Sequence, residues 1–259
     1  MVILISNDDG IYARGLQVLY EELKSLGKIY VVAPDRERSA VSHALSLHRP
    51  LRIKEVKKNF FAVDGTPTDC VNIAINGLLP EKPDMVVSGI NFGPNLGDDI
   101  TYSGTVSAAI EGCLLGVPSI AFSLATLDPP AYFRPAGRVA RRIVEKFLET
   151  GIPQGTIINV NFPNKRRCRY YKGLKFTRQG KRKYGEAIVE KIDPRGKKYY
   201  WIGGKDLGYE NIPDSDIVAV EEGYVSITPI HLDLTNYRLL QELKKWEDLW
   251  NQQLLNNPG

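Results

Sequence analysis

Val2-Ile3-Leu4-Ile5-Ser6-Asn7-Asp8-Asp9-Gly10 sets a wholly apolar run directly against two carboxylates and a glycine. A short run with no polar alternation is the pattern of a strand buried on both faces. Neighbouring residues on a strand point to opposite sides. Asp8 and Asp9 can therefore converge only where the strand has ended and the chain turns, which Gly10 permits. A helix follows, with Leu16, Leu19, Leu23 and Leu26 at offsets of three, four and three, the helical period. Gly27 sits where a C-cap belongs, and Ile29 to Val32 is the next strand.

The alternation returns further along. Met85-Val86-Val87 reads as a strand, Thr105 to Leu115 as a helix, Ile120-Ala121-Phe122 as a strand, Ala136 to Leu148 as an amphipathic helix and Ile157 to Val160 as a strand. Strand and helix repeated with short links predict an α/β fold, Rossmann-like and doubly wound, with a mainly parallel sheet over residues 1–163. From residue 164 the character changes. Between Lys165 and Lys183 stand ten basic residues and no acidic one. The β-leaning stretches Ala187 to Ile192, Lys198 to Ile202, Ile217 to Val220 and Tyr224 to Thr228 follow, with Asp193-Pro194-Arg195-Gly196 as a turn. They predict projecting C-terminal β-hairpins. The tail from Asn236 predicts one C-terminal helix, whose Leu239, Leu243, Trp246, Trp250 and Leu254 form a face that either packs on the sheet or makes a subunit contact.

The 259 residues carry 34 Lys+Arg against 30 Asp+Glu, a net charge of +4, with 43% hydrophobic and 25% charged residues. These are the proportions of an ordinary globular protein and exclude collagen-like, disordered and low-complexity classes. No apolar run approaches the roughly 20 residues of a membrane span. The opening residues lack a basic region and meet Asp8 early, which argues against a signal peptide. Cys70, Cys113 and Cys168 are odd in number and widely spaced, so the expectation is reduced thiols in the cytoplasm.

Ligands of open α/β sheets bind beyond the carboxyl ends of the strands, and four segments fall there. Asn7-Asp8-Asp9-Gly10 offers two like charges that are unfavourable together without a cation, although the same residues suit an Asx turn. Ala33-Pro34-Asp35 through Ser39 follows the second strand with mixed charge and a hydroxyl. Ser88-Gly89-Ile90-Asn91 to Gly97 reads as a loop rich in glycine and asparagine, and Asn can lend a carbonyl oxygen to a hard cation. Tyr102-Ser103-Gly104-Thr105 opens a helix, and a helix N-terminus is a ready anion site; a plain N-cap is the simpler alternative. Oxygen donors without His or Cys suit Mg²⁺ or Mn²⁺ rather than zinc. A hard cation beside such a terminus is the equipment of phosphoryl chemistry.

His43 can reach the site as an acid or serve packing, and Gly65-Thr66-Pro67-Thr68-Asp69 caps the helix from Cys70 or lines the pocket. A receiver-type signalling module needs an aspartate at position 88, where this chain has Ser88. A dinucleotide-binding dehydrogenase lacks its G-x-G-x-x-G after the first strand. The basic run can track nucleic acid, draw anionic substrates inward, or form a solvated face.

Taken in order, Ser6-Asn7-Asp8-Asp9-Gly10, Val32-Ala33-Pro34-Asp35 through Ser39, Gly65-Thr66-Pro67, Ser88-Gly89-Ile90-Asn91, Gly93-Pro94-Asn95 and Tyr102-Ser103-Gly104-Thr105-Val106 resemble the survival protein SurE family. The likeness resumes at Gly223-Tyr224-Val225-Ser226-Ile227-Thr228-Pro229. The resemblance implies a 5′-nucleotidase that hydrolyses nucleoside 5′-monophosphates by metal-assisted attack of water, with 3′-nucleotides and short polyphosphate as further substrates of some members. It implies one divalent metal cation per subunit, Mg²⁺ or Mn²⁺, on Asp8, Asp9, Ser39 and Asn91, with Asp8 and Asp9 also the catalytic carboxylates. It sets Asn95, Ser103, Gly104 and Thr105 around the substrate phosphate. It further implies a homodimer or homotetramer built through the C-terminal segment, residues 164–259. No membrane or nucleic-acid partner is expected.

Overall fold

The computed structural model describes residues 1–183, 188–202 and 208–255. Its first half runs β1 (Val2–Ser6), α1 (Arg14–Leu23), β2 (Lys28–Pro34), β3 (Ile53–Lys57), β4 (Phe60–Val63), α2 (Pro67–Ile73), β5 (Met85–Phe92) and α3 (Gly104–Leu114). The second half runs β6 (Ser119–Ala125), α4 (Phe133–Thr150), β7 (Thr156–Pro163), β8 (Leu174–Phe176), β9 (Ile188–Ile192), β10 (Lys198–Ile202), α5 (Asp216–Glu221), β11 (Val225–His231), α6 (Tyr237–Lys244) and α7 (Glu247–Leu255).

Among the described residues, nine strands form one sheet in the order β3-β4-β2-β1-β5-β6-β7-β11-β8. Its pairings are parallel except β3 with β4 and β7 with β11. β1 lies inside the sheet, and every residue of it is buried. Ile3 and Ile5 face a cluster with Leu16 and Leu19 of α1 and Ile143 and Val144 of α4. Val2 and Leu4 face the other layer, with Val71 of α2 and Ala108 of α3. Each fully buried aliphatic side chain contributes about 1.5–3 kcal/mol relative to exposure, so the opening run anchors both layers. This is the doubly wound α/β arrangement.

Several local expectations are corrected. The segment from Ser88 to Phe92 is no loop: β5 continues through it, with a register irregularity against β6 between Ser88 and Asn91. α1 ends at Leu23, and Gly27 instead leaves room for the Met1 carbonyl, which an added Cβ would meet at 2.5 Å. Ile217–Val220 is helical despite its β-branched residues, because the Ser215 hydroxyl accepts from the Val218 amide and caps α5. Tyr224–Thr228 does not project. β11 enters the main sheet, with Val225 and Ile227 in the core. β9 and β10 form the expected hairpin, while Ala187 lies outside the described residues. The tail is two helices, broken at Lys245-Trp246, and neither α6 nor α7 buries a residue. Packing of that face on the chain's own sheet is therefore not observed.

Candidate active site

β1 ends at Ser6, so Asp8 and Asp9 stand in the turn that follows. The Asn7 side-chain amide donates to the Gly10 carbonyl at 3.0 Å, and Gly10 takes φ +97°, a left-handed value that suits glycine. From β1 the chain first builds outward through β2, then returns to fill β5 on the other flank. The crevice between β1 and β5 is thus the switch point of the sheet, where such folds bind ligands. The two sides are joined across it: the Phe92 amide at the end of β5 donates to Asp9 Oδ2 at 3.0 Å.

The start of α3 closes on the same carboxylates. The Thr105 hydroxyl donates to Asp8 Oδ1. Gly104 lies so near that an added Cβ would stand 2.8 Å from Asp8 Cβ and 3.0 Å from Asp8 Oδ2. The Ser103 hydroxyl accepts from the Val106 amide at 3.0 Å and caps the helix. From the third side, the Arg38 amide donates to the Asp8 carbonyl at 2.7 Å, which brings the connection after β2 against the pair.

Burial pushes the Asp9 carboxyl up from 3.8 to about 7, the Asp8 charge adds to the rise, and the Phe92 amide only partly opposes it. Burial likewise raises Asp8, against the lowering pull of the Thr105 hydroxyl and amide. Two carboxyl groups are thus held where burial disfavours their ionisation, and a bound cation inverts that balance. Among the described residues, no group of three or more His, Cys, Asp or Glu is placed to hold a metal ion. A cation at this site would take two carboxylates and complete its shell with neutral oxygens and water, a donor set fitted to a hard ion.

The neutral candidates are nearby, each with a first partner. Ser39 is exposed, and its hydroxyl donates to Glu37 Oε1 at 2.8 Å. Glu37 in turn contributes to raising both Asp8 and Asp9, so it shares their electrostatic field. The half-buried Asn91 donates from Nδ2 to the Gly93 carbonyl at 3.0 Å, which fixes the amide and leaves its Oδ1 carbonyl free of hydrogen bonds among the described residues.

Asn95 is buried and gripped from β6 and β7. Its amide donates to Asn161 Oδ1 at 2.9 Å, its carbonyl accepts from Asn159 and Asn161 at 2.9 Å each, and its Nδ2 donates to Ser123 at 2.8 Å. Two residues on, the Gly97 amide donates to the buried Asp216 at 2.9 Å. Asp216 also takes the Gly180 and Ile217 amides at 2.8 and 2.9 Å. Sequence reading missed Ser123, Asn159, Asn161 and Asp216. The available signal was polar side chains inside otherwise apolar β6 and β7 strands.

Thr66 caps α2 in a reciprocal box with Asp69, as the capping reading expects. His43 is exposed, and its Nε2 lies 2.8 Å from Glu111 Oε2 on α3. The basic run is partly neutralised, since Lys175 pairs with Glu222 at 2.6 Å and Arg182 with Asp99 at 2.8 Å. Among the described residues, no helix is long and apolar enough to cross a membrane.

The family model of survival protein SurE matches residues 3–186. The 5′-nucleotidase SurE of Geotalea daltonii is 55% identical over 247 residues, covering 95% of this chain and 99% of that protein. The 5′-nucleotidase SurE of Geobacter sulfurreducens is 53% identical over 247 residues, covering 95% of this chain and 94% of that one. The crystal structure of the SurE protein from Aquifex aeolicus superposes with a TM-score of 0.86 at 49% identity, covering 96% of this chain and all of that one. With its two carboxylates at the β1/β5 crevice and this likeness running along nearly its whole length, the chain belongs to the survival protein SurE family.

Proposed function

We propose that this chain is a metal-dependent 5′-nucleotidase that hydrolyses nucleoside 5′-monophosphates at the Asp8/Asp9 crevice. The observation that carries the reading is the meeting of Asp8, Asp9, the Phe92 amide and the first turn of α3 at the switch point of the sheet. Asp8 and Asp9 would hold one divalent cation, Mg²⁺ or Mn²⁺, with the Ser39 hydroxyl and the Asn91 carbonyl as neutral donors. Bound there, a divalent cation supplies Lewis-acid polarisation of a phosphoryl oxygen and a water of lowered pKa.

The protein's own groups do the rest. The α3 terminus, with Ser103, Gly104 and Thr105, turns its dipole and amides toward the phosphoryl oxygens and stabilises charge that builds there. Asn95, held in place by Asn159 and Asn161, would lie on the substrate's side of the site. Thr105 and Phe92 orient the two carboxylates, so that little reorganisation is needed on binding. Residues 1–163 are the catalytic core in this reading. Within residues 164–259 the exposed tail from Asn236 serves assembly into a homodimer or homotetramer, supported by the exposure of Trp246 and Trp250, each 49%. The protein acts in the cytoplasm.

The test is phosphate release from 5′- and 3′-nucleotides with and without chelator. Turnover of 5′-monophosphates should vanish on chelation and return with Mn²⁺ or Mg²⁺ without refolding. Undiminished turnover in chelator would sink the reading.

A further inference from the structure

The connection from β2 to β3, residues 35–52, is long for a segment with neither helix nor strand. It carries Ser39, and two non-glycine residues in it, Ala40 and Ser42, take left-handed φ of 55° and 52°. Such conformations persist only where the surroundings impose them. The ties that impose them are the Ser42 amide on the Tyr102 carbonyl at 3.2 Å, the Thr66 hydroxyl on the Ala44 carbonyl at 2.7 Å, the Ser46 amide on Asp69 Oδ1 at 2.8 Å, and His43 on Glu111.

The last differs in kind. Between residues 39 and 46 it is the one bond, among the described residues, that joins a side chain of this segment to a side chain elsewhere. Glu111 is 4% exposed, and its other oxygen takes the Asn72 side-chain amide at 2.6 Å. Burial pushes the Glu111 carboxyl up, but the bonds from His43 and Asn72 outweigh it and the net shift is downward, so the buried acceptor is anionic. Bonds to an ionised acceptor are the short, strong kind. Glu111 also lies on α3, whose first turn carries Thr105 on Asp8. One rigid helix therefore grips the Asp8 turn at its start and the Ser39 segment further along.

We propose that His43, held by Glu111 of α3, is a positioning residue that sets Ser39 against the Asp8/Asp9 pair. This rests on the metal-site reading above. It gives His43 a part other than that of an acid at the site, with its Nε2 turned to Glu111.

The test is Mn²⁺ binding to the full chain by titration calorimetry, beside hydrogen exchange of the metal-free protein and thermal melting. His43→Ala should weaken Mn²⁺ roughly tenfold, the scale of lost outer-shell support. Exchange should speed up in peptides covering 36–46 while the sheet stays protected. His43→Gln, whose amide can still donate to Glu111, should bind within about twofold of the parent. The proposal falls if His43→Ala binds Mn²⁺ normally, if His43→Gln is as weak as His43→Ala, or if protection is lost across the sheet as well. Asp9→Asn separates the two readings. Its loss of Mn²⁺ with normal binding by His43→Ala sinks the positioning role alone, whereas normal binding by Asp9→Asn sinks the metal site and the positioning role together.

Discussion

The Thr105 hydroxyl donates to Asp8 Oδ1 and so ties the first turn of α3 to the turn after β1. Thr105→Val keeps the shape and removes the donor, leaving a buried carboxylate short of a partner. A loss of about 1–3 kcal/mol is expected for a buried oxygen left without its partner, read by denaturant unfolding of the metal-free chain. Thr105→Ser should recover most of it. Equal stability of Thr105→Val and the parent would show that the bond contributes nothing.

Asp8→Asn and Asp9→Asn should each cut nucleotide turnover roughly a hundredfold or more, since in the proposed site either removes one of the two charges that would hold a Lewis acid. Neither should unfold the chain, because burial already disfavours both charges. Steady-state kinetics alongside circular dichroism decides it. Near-normal turnover in either variant removes the ligand assignment.

Asp9 carries a pH signature. Its pKa rises from 3.8 to about 7 on folding, so the native state binds the proton more tightly than the unfolded chain does. The stability this contributes is fully present below pH 3.8 and is lost as the pH climbs through about 7. Melting of the metal-free parent minus that of Asp9→Asn should therefore fall between those limits, and saturating Mn²⁺ should flatten the fall. A difference that rises over the same range contradicts the burial argument.

Gly104→Ala inserts a methyl 2.8 Å from Asp8 Cβ and 3.1 Å from Pro67 Cγ. The helix start or the Asp8 turn must shift. A displacement of this order at a catalytic centre costs about a hundredfold, with far-ultraviolet circular dichroism unchanged. Full activity would mean that the α3 terminus need not sit so close.

Asn161→Leu leaves the Asn95 amide without its acceptor inside the protein. The expected cost is about 1–3 kcal/mol, together with a higher KM for nucleoside monophosphate as the Asn95 loop loosens. A stability loss with an unchanged KM would separate Asn95 from substrate binding.

Much of the site was legible because its signals are local. An apolar quartet followed by two aspartates and a glycine has few structural solutions, and the sheet rule then sets Asp9 near Asn91. What stayed hidden is non-local. Asn159 and Asn161 lie 64 and 66 residues from the loop they hold, and in the sequence they look like the outward half of an alternating strand. Ile217–Val220 misled because β-branched residues favour strands, while the Ser215 cap that decides the matter lies outside the apolar run. The tail broke at Lys245-Trp246 although its apolar spacing continues across the break. His43 gave no clue to Glu111, 68 residues on.

The bonds that assemble the crevice span 83 residues from Asp9 to Phe92, 97 from Asp8 to Thr105 and 119 from Gly97 to Asp216. Closing such distances costs chain entropy before any reward arrives, which slows folding. During refolding from denaturant, helix signal should recover first and competence for turnover last. A chain arrested partway would be compact yet inert, with its carboxylates still apart.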